Sequence, residues 1–225
     1  MKLGDIKIEA LKLMFVDFVT DYAAEDITSL STDESCRDYL ANMPGAINRC
    51  FADLERRGVI PAKSVELGEL GRARKYGNVR YKLKDIIPDF GRIERVSRES
   101  EDGEYCAACS YRLEGGVLVL RAPDIRTYTE DGVEKYEERE TYTLIYRPTL
   151  DRISRSTSDE VEIDLPDSIA NLIPYYVKGD VYRMDEPDEA GEARNWYEAA
   201  INELLYEAES SQECVETVFD MGDDW

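Results

Sequence analysis

The chain of 225 residues contains no histidine. That absence removes at once the commonest general base, the usual activator of serine and cysteine nucleophiles and the commonest metal ligand, and with them most hydrolase designs. Long apolar runs are missing too: no stretch approaches the eighteen or so residues that a membrane span needs. The opening MKLGDIKIEALKLMF places acids where a secretory leader keeps an apolar core. We therefore expect a soluble intracellular protein with no membrane contact. Cysteine is sparse, five in all, scattered as Cys36, Cys50, Cys106, Cys109 and Cys214, which is unlike a secreted disulfide framework.

Signatures of catalysis or cofactor binding are equally scarce. Cys106-Ala-Ala-Cys109 has the spacing of a redox pair or of half a zinc site. No second CxxC or CxxH accompanies it, and it falls in a predicted strand, so both thiols read as structural and no metal is expected. The glycines form neither GxGxxG nor a phosphate-binding loop followed by Lys and Ser or Thr, so no nucleotide or other cofactor is expected. Carboxylate pairs such as Glu138 with Glu140 or Asp159 with Glu160 carry little information in so acidic a chain. The expectation is a protein that is not an enzyme.

Positive charge is the other thing in short supply. Lys and Arg number 28 against 49 Asp and Glu, a net charge of −21. That balance excludes a nucleic-acid binder that works by neutralising phosphates, although not a protein that DNA merely passes. The bases cluster: residues 71–98 hold nine of them, including Arg72, Arg74, Lys75 and Arg80, against three acids, whereas residues 206–225 hold seven acids and no base. Solvated faces and an acidic tail account for this. A sharper reading has the basic β edge of one copy meeting the acidic C-terminal region of another, which favours head-to-tail association into a ring.

What the sequence does have is two kinds of periodicity. Ile169, Leu172, Ile173, Tyr176 and Val177, then Tyr197, Ala200, Ile201, Leu204 and Leu205, recur at helical spacing and predict a helical hairpin. Pro166 suits a first helical turn, Pro174 a kink or restart, and Pro187 the start of the second helix. Residues 5–20 and 33–57 repeat the helical pattern. Pro44-Gly45 is expected to interrupt the second of these, and Arg56-Arg57-Gly58 to end it. Between roughly 76 and 163 the pattern turns to strands, with Asp102-Gly103, Gly115-Gly116 and Asp131-Gly132 as hairpin turns. The fold class expected is α+β: a helical bundle built from residues 1–75 and 164–210, an inserted antiparallel β-rich subdomain at 76–163, and an acidic, flexible tail at 211–225. Fifteen tyrosines, many in the strands, mark either half-buried sheet positions or a face for sugars or partners.

The run Leu3-Gly4-Asp5-Ile6-Lys7-Ile8-Glu9-Ala10-Leu11, then Met43-Pro44-Gly45-Ala46-Ile47-Asn48-Arg49-Cys50, a β-rich middle, and Leu165-Pro166-Asp167-Ser168-Ile169 through Glu192-Ala193-Arg194-Asn195-Trp196-Tyr197, resembles the head-to-tail connector (adaptor) proteins of tailed bacteriophages and related prophage proteins. The resemblance covers both helical ends, about half of the chain. It implies a non-enzymatic structural role in the virion neck, after time in the host cytoplasm. Copies would form a ring under the portal protein, meet tail or stopper proteins, and let DNA through as passing cargo. An acidic lumen repels phosphate, and the tail residues Phe219, Met221 and Trp225 would order on docking to the portal. Partner contacts are thus expected at Arg72, Arg74, Lys75, Arg80, Phe219, Met221 and Trp225. The alternatives are a tyrosine-rich β module for carbohydrate, an acidic mimic of DNA, or an enzyme working through carboxylates or the Cys106 pair.

Overall fold

The computed structural model describes residues 1–15, 22–67, 72–75, 78–99, 105–106, 111–121, 126–130, 133–137 and 141–219. From the N-terminus come α1 (Leu3–Met14), a 3-10 turn (Ala24–Asp26), α2 (Ile27–Leu30) and α3 (Arg37–Arg57). The strands follow: β1 (Lys63–Leu67), β2 (Arg72–Lys75), β3 (Asn78–Lys82), the one-turn helix α4 (Leu83–Ile86), β4 (Phe90–Glu99) and β5 (Tyr105–Cys106). Next are β6 (Tyr111–Glu114), β7 (Val117–Arg121), β8 (Arg126–Glu130), β9 (Val133–Glu137) and β10 (Thr141–Pro148). Then come α5 (Asp167–Ala170), α6 (Ile173–Val181), a 3-10 turn (Tyr182–Met184) and α7 (Pro187–Phe219). No described helix is long and apolar enough to cross a membrane.

The protein is α+β, with helices from both ends of the chain in one compact unit and antiparallel sheets in the other. The first unit is Met1–Ile60 with Arg152–Trp225; the second is Pro61–Asp151. The junctions therefore fall at 60/61 and 151/152, where the sequence pattern places them at 75/76 and 163/164. Two features move them. Strand β1 pairs with β10 and so belongs to the sheets, and residues 152–166, irregular and polar, belong to the helices.

In the helical unit each helix buries one stripe: Leu3, Ile6 and Leu11 from α1; Met43, Ile47, Phe51 and Leu54 from α3; Ile173 and Val177 from α6; Tyr197 and Ile201 from α7. Full burial of such side chains stabilises by about 1.5–3 kcal/mol each. The 152–166 segment straps the start of the chain in place. Leu3 N–H donates to Val161 O at 2.8 Å, Gly4 N–H to Asp159 O at 2.8 Å and Ile163 N–H to Met1 O at 3.0 Å. The Lys7 ammonium, almost wholly buried, meets Asp159 Oδ1 at 2.5 Å. Helix α3 corrects one expectation: it runs unbroken through Pro44 and Gly45. Its buried face, Leu40 through Leu54, holds the turn together against the missing N–H donor. It ends where expected, at Gly58, whose φ of 72° suits a residue without Cβ.

The second unit packs the inner faces of two four-stranded antiparallel sheets, ordered β1-β10-β4-β5 and β2-β3-β7-β6, around one core. Val79, Tyr81, Leu118 and Leu120 come from one sheet; Val96, Tyr142, Leu144 and Tyr146 come from the other. Strands β8 and β9 form a separate hairpin. Strands β5 and β6 belong to different sheets. Asp89 fixes the start of β4. It receives Lys63 Nζ at 2.9 Å and the Tyr146 hydroxyl at 3.0 Å, and its carbonyl accepts Thr149 N–H at 2.7 Å.

Candidate functional site

The helical hairpin expected from periodicity is present as α6 and α7, and it brings polar side chains to two places on the helical unit. The first is a buried lock between α3 and α7. Residues 50, 53 and 57 share a face of α3, and residues 194, 197 and 198 share a face of α7. The Tyr197 hydroxyl donates to Asp53 Oδ2 at 3.0 Å and lies 4.0 Å from Cys50 Sγ. Arg56 donates to Asp53 Oδ1 at 2.5 Å and Arg57 to Glu198 Oε1 at 2.8 Å. Arg57 Nε is also 2.8 Å from Asp53 Oδ2, but off the line of a hydrogen bond, so this contact is one of charge alone. The Arg194 guanidinium lies over the Tyr176 ring, 4.1 Å from its centroid.

The electrostatics say what this cluster does. Burial opposes ionisation of Asp53, which is 7 % exposed, yet hydrogen bonds from Arg56 and Tyr197 and the charges of Arg57 and Arg56 outweigh it and hold the carboxyl below its ordinary pKa. Burial, then the neighbouring Cys50 and Asp53, pushes the Tyr197 hydroxyl strongly up. Burial pushes the Cys50 thiol up to about 12. At neutral pH neither the thiol nor the phenol ionises, so the cluster lacks an activated nucleophile and works as a structural lock.

The second place is an open cleft of about 550 Å³ between α3, the strap and the end of α6. Asn48 builds one wall: its amide donates to Ile153 O at 2.7 Å and accepts Ile153 N–H at 2.8 Å. Arg49 Nε reaches Asp180 Oδ2 at 3.1 Å across the floor. Ser154 and Arg155 line the rim with Met184, which is 90 % exposed. On the surface of the same hairpin Tyr175 stacks on Trp196 with ring centroids 4.0 Å apart, and Trp196 is 50 % exposed. Among the described residues no group of His, Cys, Asp or Glu is arranged to hold a metal ion.

The residues expected to bind partners are spread over both units. Arg72, Arg74 and Lys75 lie on β2, paired with Tyr81, Val79 and Asn78; their side chains are outside the described ones. Arg80, on β3, meets Glu114 Oε2 at 2.9 Å. Phe219 is the last residue of α7, and its side chain is outside the described ones; Met221 and Trp225 lie outside the described residues. Helix α7 also takes in residues 211–219, the first part of the expected tail. Cys106 belongs to β5, while Cys109 lies outside the described residues. Sequence reasoning passed over Asn48, Arg49, Asp53, Asp180 and Tyr197. Only the short-range pairs of Asp53 with Arg56 (i, i+3) and Arg57 (i, i+4) leave a trace in the sequence, because the other partners are more than a hundred residues apart. No protein-family model matches the chain, and no curated protein is significantly similar to it.

Proposed function

We propose that this protein is a non-enzymatic adaptor of a phage or prophage neck, forming a ring under the portal protein and joining it to tail or stopper proteins while DNA passes through. It would occupy the virion neck after assembly and the host cytoplasm before it. The observation that carries the reading is how charge divides between the two units. The helical unit holds twelve Lys and Arg against thirty-one Asp and Glu, a net −19, whereas the β unit holds sixteen against eighteen, a net −2. A surface so one-sided repels phosphate rather than binding it, as a conduit for DNA requires. The helix–sheet–helix order, with both chain ends in one unit, is the order of segments on which the resemblance rests. Of the strand tyrosines, Tyr81, Tyr142 and Tyr146 are buried in the β core and Tyr111 is exposed.

The test is native mass spectrometry of the protein alone and mixed with the portal protein of the same genome, at low and moderate salt. A defined ring, or stoichiometric capture by the portal ring, supports the adaptor reading. A monomer at every concentration that ignores the portal overturns it.

A further inference from the structure

Helix α7 is about 50 Å long at 1.5 Å per residue, whereas α6, its main cover, has nine residues and spans about 14 Å. One stripe of α7 records where the cover ends. Ala190, Ala193, Tyr197 and Ile201 are buried, Leu204 and Leu205 are half-buried, and Ala208 is exposed. The helix continues to Phe219, and its sequence keeps the same spacing with Val215 and Val218. Cover along the stripe thus falls off from Ile201, which is fully buried, to Ala208, which is exposed. From Trp196 to Phe219 the helix carries six Glu and no Lys or Arg, so two such helices laid together repel.

The sheet β2-β3-β7-β6 offers the complementary surface. Register places Arg80, Val119 and Arg112 in one row and Lys82, Val117 and Glu114 in the next, on the face opposite the core residues Tyr81 and Leu118. Arg80 and Arg112 share the single carboxylate of Glu114, at 2.9 and 2.7 Å. Lys82 is exposed, with Asp85 3.9 Å away. These side chains carry net positive charge over valines, which suits an apolar stripe with acidic flanks.

We propose that residues 203–208 of α7 from one copy, an apolar strip of Leu204, Leu205 and Ala208 flanked by Glu203 and Glu207, dock on this sheet face of a second copy. The inference rests on the adaptor reading and names the contact that would build its ring: the two patches differ, so the association is heterologous and closes or propagates head to tail.

Charge exchange tests it, by sedimentation velocity on the full chain, free and bound to the portal ring. Glu203→Lys with Glu207→Lys, and separately Arg80→Glu with Arg112→Glu, should each weaken copy-to-copy association at least tenfold. The chain carrying all four changes should recover to within about threefold of wild type. Ala208→Arg, at an exposed position of the same stripe, should weaken association while leaving the melting temperature unchanged, which separates docking from folding. Rings or portal-bound arrays that tolerate both reversals, or a four-fold variant no better than either pair, overturn this contact and leave the adaptor reading intact. A chain that neither self-associates nor is captured by the portal overturns both.

Discussion

Asp53 has three neighbours that depend on its charge: Arg56, Arg57 and the Tyr197 hydroxyl. Replacing it with Asn keeps an acceptor for Tyr197 but removes one of the two carboxylates, the other being Glu198, that face Arg57, which is four-fifths buried. We expect Asp53→Asn to lower unfolding free energy by about 1–2 kcal/mol at pH 7, measured by urea melts. The pH dependence has a definite sign. The folded pKa of Asp53 is lowered, so its stabilisation is complete above the unfolded value of about 4 and is lost as pH falls through the folded value. The gap between wild type and Asp53→Asn should therefore be constant from pH 8 to 5 and close in stronger acid; a gap that widens below pH 4 refutes this. Gly91 supplies a second residue-level expectation. A Cβ there would lie 2.7 Å from the Arg147 carbonyl oxygen, a backbone atom held in the β4–β10 pairing. Gly91→Ala should cost about 2–3 kcal/mol in the β unit, while Gly191→Ala, with open space around it, should be neutral or mildly stabilising.

At the scale of elements, Pro44 sits eight residues into a continuous helix, where proline has no N–H to give the carbonyl of Leu40 and its ring presses on that carbonyl. Pro44→Ala restores the bond and loses some buried ring area, and the balance is a gain of about 1 kcal/mol, readable as a higher urea midpoint. A destabilised Pro44→Ala would mean that the ring packs better than the bond it prevents. This helix also shows the limit of sequence reading. The signal Pro-Gly inside a helical pattern predicts a break, but eight buried residues from Leu40 to Leu54 other than Pro44 itself outweigh it. Hairpin α6–α7 was legible because its stripes are local and repeat every three or four residues. Strand β1, KSVEL, was not, because its half-exposed alternation is too short and its pairing with β10 closes a loop of about eighty residues. The strap was illegible for the same reason: its isolated apolar residues Ile153, Ile163 and Leu165 have no period, only distant partners. The Tyr197–Asp53 lock likewise exists only once α3 and α7 are side by side.

For the whole molecule the unequal charge of the two units makes a thermal prediction. Self-repulsion in a unit of net −19 weakens as salt shortens the Debye length from about 30 Å at 0.01 M to about 10 Å at 0.1 M. The melting transition of the helical unit should rise by about 3–6 °C over that range, and that of the β unit, near neutral, should barely move; circular dichroism at helical and strand wavelengths distinguishes them. Equal shifts would mean that the charges are already compensated locally. The β unit also has its own core, and its first and last strands are neighbours. A polypeptide of residues 61–151 should fold alone with cooperative unfolding, and a helical unit closed across that gap by a short Gly-Ser linker should keep its helical signal. The pairing of Lys63 with Tyr146 at the mouth of the insertion has a mechanical consequence. Tension that pulls residues 61 and 151 apart loads the β1–β10 hydrogen bonds one pair at a time, as a zipper opens, rather than all together in shear. The inserted unit would peel from its mouth at low force, and the helices would keep their shape while it did so.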